Sequence, residues 1–182
     1  MVLQSEVPTV AELPASLVRV DRYITHWMAK HGVDIVRVAL GVIFLWFGFL
    51  KYFPGVSSEE VIATRTMGVL SFGFLSPEVS RVLLATWECA IGLGLITHKA
   101  LRVTLLLLFT QMLGTLMPLV IFPGETFAQI PLVPTLQGQF IIKNFVMISA
   151  AIIVGASVRG GRMVANPSAA RAGEEHEEQA LS

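Results

Sequence analysis

Apolar residues fall along this chain in four long blocks, with polar residues and turn formers gathered between them. Residues 35–53, 77–97, 101–122 and 137–158 each run close to the ~20 that a helix needs to cross a hydrocarbon core of about 30 Å. Backbone polar groups within lipid must all be paired inside the chain. The expected fold is therefore all-α, an integral membrane four-helix bundle. Ahead of the first block, Leu17, Val20, Ile24, Trp27 and Met28 recur at helical spacing, while Arg19, Asp21, Arg22, Thr25 and Lys30 mostly take the other side. This predicts an amphipathic interfacial helix over 15–30, with Tyr23 and Trp27 in the headgroup layer. An ordinary amphipathic helix packed on the protein is the alternative. His31-Gly32 is expected to end it.

The breaks between blocks are specific. Pro54-Gly55 stops the first span, and Ser58-Glu59-Glu60 reads as a new start, with serine as cap and carboxylates in the first turn. Residues 59–75 are apolar but interrupted by Gly68 and Gly73, so an interfacial or partly inserted helical loop is expected there. Ser76-Pro77 opens the second span, His98-Lys99 makes a tight turn into the third, and Pro123-Gly124 closes the third. Residues 125–136, with two prolines, suggest a loop resting on the bundle end. The first span begins too late for a standard signal peptide and is read as retained. Three regions follow: a tail and interfacial helix over 1–32, the membrane domain over 33–158, and an acidic, disordered tail over 159–182 carrying Glu174, Glu175, Glu177 and Glu178.

Composition agrees with the pattern. Of 182 residues, 54% are hydrophobic and 14% charged, against about 25% charged in an average soluble domain. Thirteen basic and thirteen acidic residues cancel, so there is no electrostatic case for nucleic acid. The single cysteine, Cys89, excludes an internal disulfide and any CxxC motif, and reads as a small packing residue. Four histidines, none in the middle of a span, speak against a haem held by two of them, and no spacing supports a metal site. Met112, Met117 and Met147 read as space-filling. Nine lysines and arginines flank one set of span ends and four the other, which predicts both termini in the cytoplasm.

Candidate chemistry lies in the polar residues that the spans retain. At 100° per residue, Arg37, Gly41, Gly48 and Lys51 share an arc of about 80° on the first span, a face suited to meeting other helices. Glu88 lies deep in the second span, where a charge costs at least ~3 kcal/mol by insertion scales. Ala85, Cys89 and Gly92 beside it would let another helix approach closely. Lys51 and Lys143 are its candidate partners. The three charges predict either a buried Lys–Glu–Lys ligand or proton site or a pair that fixes helix register. The excess of lysine favours an anionic or carbonyl-bearing ligand. Gln111, Gly114 and Pro118 form a stripe on the third span, with Gln111 at the depth of Glu88. Asn144 and Gln139 make the start of the fourth span polar. For Arg37, anchoring to lipid phosphate is the favoured role, with pairing to Asp34 or capping of carbonyls as alternatives.

The order Arg37…Gly41…Gly48…Lys51, then WECAIGLGL over 87–95, then QGQFIIKN over 137–144, resembles the DoxX family of small bacterial four-helix membrane proteins. The resemblance covers roughly residues 33–158. It implies a cytoplasmic (inner) membrane location. In some members it implies a subunit of thiosulfate:quinone oxidoreductase, and in others a partner in oxidative-stress defence. Arg37, Lys51, Glu88 and Lys143 fall on the family's recurring polar positions. The expectation is a quinone- or small-molecule-binding subunit, its ligand held by Lys51, Glu88, Gln111, Lys143 and Asn144. Its partners would be the lipid bilayer, a soluble oxidoreductase subunit and further copies of the chain. A small proton or anion transporter and a non-catalytic scaffold are the alternatives.

Overall fold

The computed structural model describes residues 15–161 and 163. The tails expected at either end, Glu174, Glu175, Glu177 and Glu178 included, lie outside the described residues. Among the described residues, Asp34–Gly160 form one compact unit, and residues 15–33 fall to a second. Four helices are long and apolar enough to cross a membrane, over Arg19–Leu50, Pro77–Thr97, Leu101–Ile121 and Leu136–Arg159.

The first helix, α1 (Ala15–Leu50), is continuous through His31 and Gly32, and so corrects the expected break. A single glycine costs a helix only about 1 kcal/mol. Stopping at Gly32 would forfeit backbone hydrogen bonds, and no proline follows to force it. Trp27 and His31, one turn apart, lie with ring centroids at 5.4 Å and planes tilted by 47° just before the glycine. Leu17, Val20, Tyr23, Ile24, Trp27 and Met28 are all exposed.

Within the larger unit, α1 packs on α3 (Pro77–Thr97) through glycines. A Cβ on Gly92 would lie 2.5 Å from the backbone nitrogen of Leu45, and one on Gly48 would lie 2.9 Å from that of Cys89. Backbones this close leave no room for side chains. The two helices also cap each other. Near the start of the membrane part of α1, Arg37 donates to the carbonyls of Leu95 and Ile96, at the end of α3. Near the start of α3, Arg81 donates to the carbonyls of Lys51 (2.9 Å) and Tyr52 (2.6 Å), at the end of α1. Terminal carbonyls lack intrahelical partners and carry the negative end of the dipole, so a guanidinium satisfies both. Arg37 also pairs with Asp34 at 3.1 Å. Protein carbonyls, rather than lipid phosphate, thus take up Arg37.

Helix α2 (Glu60–Leu70) lies between α1 and α3 in the chain and packs on α3. It is one helix of 11 residues, too short to span. Ser76 caps α3 by accepting from the nitrogen of Val79 at 3.4 Å. His98 and Ala100 turn the chain with φ of 59° and 50° into α4 (Leu101–Leu116). Pro118 has no N–H to give, and the third span breaks there: Met117 bonds to the carbonyl of Gly114 at 3.2 Å, and a short turn, α5 (Pro118–Ile121), follows. After α6 (Pro123–Thr126), the expected loop contains a two-stranded antiparallel ribbon, β1 (Phe127–Gln129) with β2 (Val133–Pro134). Thr135 then caps α7 (Leu136–Ala156) by accepting from Gly138 at 3.2 Å. The bundle core is apolar: Leu40, Phe44, Ile91, Leu95, Leu105, Leu108, Met112, Ala151 and Val154 are buried together.

The glycine contacts predict opposite signs for similar substitutions. Gly92→Ala forces a methyl into backbone and should destabilise by about 1–3 kcal/mol. Gly68→Ala, whose Cβ would meet nothing within 4 Å, should be neutral or stabilising by up to ~1 kcal/mol. Thermal unfolding midpoints of the two variants in detergent separate these outcomes.

Candidate functional site

Glu88 lies well inside α3 and is buried, yet both carboxylate oxygens are used. Lys51, just past the end of α1, donates to Oε2 at 2.6 Å, and Gln111 of α4 donates through Nε2 to Oε1 at 3.0 Å. The side chains of Lys51 and Glu88 are each 9% exposed. At that burial a lone charge is strongly unfavourable, and a paired one is tolerated only with good geometry and further hydrogen bonds. Three elements meet that demand together. Gly48, one turn before Lys51, presses on the Cβ of Glu88 and lets the lysine reach. On its other flank Trp87 donates to the carbonyl of Leu107 at 3.1 Å and ties α3 to α4.

A cavity of about 270 Å³ adjoins this cluster. Its walls come from five helical elements: α2, α3, α4, α5 and α7. From α2 and its cap come Glu59, Ile62, Ala63, Thr66, Met67 and Leu70, which recur at i, i+3, i+4, i+7, i+8 and i+11 and form one helical face. Thr66 is buried and satisfies its own hydroxyl on the carbonyl of Ile62 at 2.6 Å. The α4–α5 side brings Gln111, Gly114, Thr115 and Pro118, and α7 brings Gln137, Ile141 and Asn144. A Cβ on Gly114 would meet nothing within 4 Å, so the missing side chain is part of the space. The side-chain amides of Gln137 and Asn144 make no hydrogen bond among the described residues. Thr110 and Leu70 are the exposed members of the lining. Thr110 lies near the middle of Leu101–Ile121, so this exposed part of the wall falls within a candidate span.

Helix α2 is pinned over this space at its start and at its middle. Glu60 accepts from the nitrogen of Gly55 at 2.7 Å and pairs with Arg81 at 3.6 Å. Arg65 makes two 2.9 Å bonds to Glu125 and lies 4.5 Å over the ring of Phe122. Arg65 and Glu125 fall in stretches of broken patterning, Glu60 was legible only as a first-turn carboxylate, and Arg81 lies within the second span. The signal that was available is the i, i+3, i+4 recurrence from Glu59 to Leu70.

Of the residues singled out from the sequence, Lys51, Glu88, Gln111 and Asn144 line the cavity. Lys143 does not. It is exposed, with its ammonium 5.6 Å over the ring of Phe140, and this corrects the expected Lys–Glu–Lys arrangement. Residues 137, 141 and 144 share the inward stripe of α7, and position 143 is turned 100° from position 144. The positive excess expected around Glu88 is accordingly absent. Arg37 caps the far end of α3 and has no part in the cavity. Cys89 is half-buried beside Gly48, its thiol 3.9 Å from the carbonyl of Leu45.

No family model, curated protein or solved structure matches this chain. The arrangement of its own residues is therefore the basis for any reading of the site.

The Lys51–Glu88 pair predicts a non-additive double-mutant cycle. Lys51→Met alone leaves a buried carboxylate with only Gln111, and should cost about 3–5 kcal/mol. Lys51→Met combined with Glu88→Leu removes both charges and should recover most of that loss. Chemical unfolding of the four proteins in mixed micelles measures the coupling. Additive losses would mean that the two side chains do not share their burial.

Proposed function

We propose that this chain is a multi-pass protein of the bacterial cytoplasmic membrane that binds a lipophilic small molecule of the quinone class beside Glu88, as the membrane subunit of an oxidoreductase or oxidative-stress system. The observation that carries this reading is the cavity itself. At about 270 Å³ it lies at the lower edge of the ~300–1,000 Å³ typical of small-molecule sites. Its apolar walls suit a ring and the first part of a tail. Among its polar members, Lys51, Gln111, Gln137 and Asn144 supply donors for ring carbonyls. An exposed wall residue at mid-span, Thr110, suits a ligand that arrives through the bilayer rather than from water.

The resemblance to the DoxX family supports the same class of ligand. With a single cysteine the chain has no dithiol of its own, so electrons would pass between the ligand and a soluble partner subunit. A transport pathway is less well supported. Beyond Gln111 the bundle is filled by Phe44, Ile91, Leu95, Leu108 and Met112, which offer no polar steps for a proton or anion. The distribution of lysine and arginine favours cytoplasmic termini, and hence a cavity in the outer half of the membrane.

The reading is tested by filling the cavity without disturbing the buried pair. Solvent extraction of the purified chain, followed by mass spectrometry, should find a lipophilic quinone at near-stoichiometric amounts. Gly114→Leu should lower it by about tenfold or more while leaving the unfolding midpoint unchanged or raised, because the added side chain enters open space and improves helix propensity. Equal recovery from both proteins, or none from either, would remove this reading.

A further inference from the structure

The charges around the cavity can be followed one by one, and they do not balance. Lys51 is paired with Glu88 at 2.6 Å. Arg81 is paired with Glu60 at 3.6 Å and also holds the carbonyls that end α1. Arg65 is paired with Glu125 at 2.9 Å. Each cation of this neighbourhood thus has its anion. Lys143, the cation expected to be left over, is exposed and absent from the lining. One carboxylate remains. Glu59 lines the cavity and is half-buried, and it makes no ion pair or hydrogen bond through its side chain among the described residues.

The position of Glu59 makes this more than an unpaired surface acid. It is the N-cap residue of α2, where a side-chain oxygen ordinarily accepts from the first turn of the helix. Glu59 makes no such cap bond. Its neighbour Glu60 takes the local work instead, by accepting from Gly55 and facing Arg81. Two consecutive glutamates are therefore divided, one committed to the fold and the other left on the cavity wall. The same wall carries the amides of Gln137 and Asn144, also without side-chain partners among the described residues, and these can accept as well as donate.

We infer that the cavity selects its ligand by head group through Glu59, admitting heads that donate hydrogen bonds or carry positive charge and rejecting anionic ones. This rests on the reading that the cavity binds a lipophilic small molecule, and it sets the class within that reading. A hydroxyl or ammonium head finds a free carboxylate in a site of low polarity, where the attraction is many times that in water. A carboxylate head would meet Glu59 with its only local cation already committed to Glu88. Within the quinone class, a reduced ring with two hydroxyls fits better than an acidic derivative.

The test uses Trp87, which lines the cavity, as the reporter. In the full chain with Trp27→Phe and Trp46→Phe, Trp87 is the remaining tryptophan of the three. Three probes of equal chain length, an ω-bromoundecyl amine, alcohol and carboxylate, are titrated into the protein in nonionic detergent, with binding corrected for partition into micelles. Saturable quenching should follow the order amine, alcohol, carboxylate, with the amine at least about tenfold tighter than the carboxylate. Glu59→Gln should bring amine and carboxylate to within about threefold of each other and leave the alcohol nearly unchanged, whereas Glu59→Asp should retain the order. A carboxylate that binds as tightly as the amine in the unsubstituted protein overturns the inference, whatever the fate of the variants. So does a Glu59→Gln protein with the amine preference intact. Absence of saturable quenching by all three probes would remove the cavity as a binding site, and this inference with it.

Discussion

A carboxylate deep in an apolar helix obliges the protein around it to supply partners, and much of this bundle is arranged to do so. Glu88 takes one hydrogen bond from Lys51 and another from Gln111, so three stretches of chain far apart in sequence are fixed at one depth. The Lys51 bond depends on a close approach of α1 and α3. Gly41 and Gly48 on α1 and Gly92 on α3 permit that approach by leaving out side chains. Packing in lipid lacks the hydrophobic drive available in water, so small residues and interhelical polar bonds carry much of the association. The charge, the glycines and the helix spacing form one device.

The arginines extend the same logic to the helix ends. Antiparallel neighbours place the beginning of one helix beside the end of the other. A long basic side chain in an early turn can then reach the unpaired carbonyls opposite. Arg37 does this at one end of the α1–α3 pair and Arg81 at the other. The pair is held by Lys51, reaching from the end of α1 to Glu88 at the middle of α3, and at both ends by guanidinium caps, which resists sliding in either direction. A slip of one residue along either helix would misplace all three contacts together.

Much of this was legible in the sequence. Four apolar blocks gave four helices, because a span leaves little choice of backbone structure. The shared arc of Arg37, Gly41, Gly48 and Lys51 held because rotation about a helix is fixed at 100° per residue, and that arc does face α3. Glu88 and Gln111 stood out because polar residues inside apolar runs are rare. Two things were hidden. The continuity of α1 through Gly32 depends on the absence of any stronger stop signal, and composition weighs a glycine too heavily there. The role of α2 depends on tertiary packing: its inward face from Glu59 to Leu70 is mixed in polarity, so it reads only as an interfacial or partly inserted helical loop until α3, α4 and α7 are seen around it. Lys143 shows the limit of reasoning from depth alone. It lies beside Asn144 in sequence, but its rotation takes it away from the cavity.

The placement of the cavity follows from these constraints rather than from a separate design. Pro118 ends α4 early, and Gly114, one turn before it, has no side chain. The third span therefore leaves space at the same end where α1 gives way to Lys51. A spanning helix inserted there would close the space. The chain instead supplies α2, 11 residues long, pinned by Arg65 and Arg81 and too short to cross. A short amphipathic cover over a gap in a bundle keeps the gap, and it brings a polar residue, Glu59, into a wall that lipid-facing helices would make wholly apolar. An exposed member, Thr110, at the middle of the third span gives that wall an edge toward the acyl chains. A Cβ at position 114 would enter this space without meeting any atom within 4 Å. Under the proposed reading, this space beside a satisfied buried ion pair is where the ligand sits.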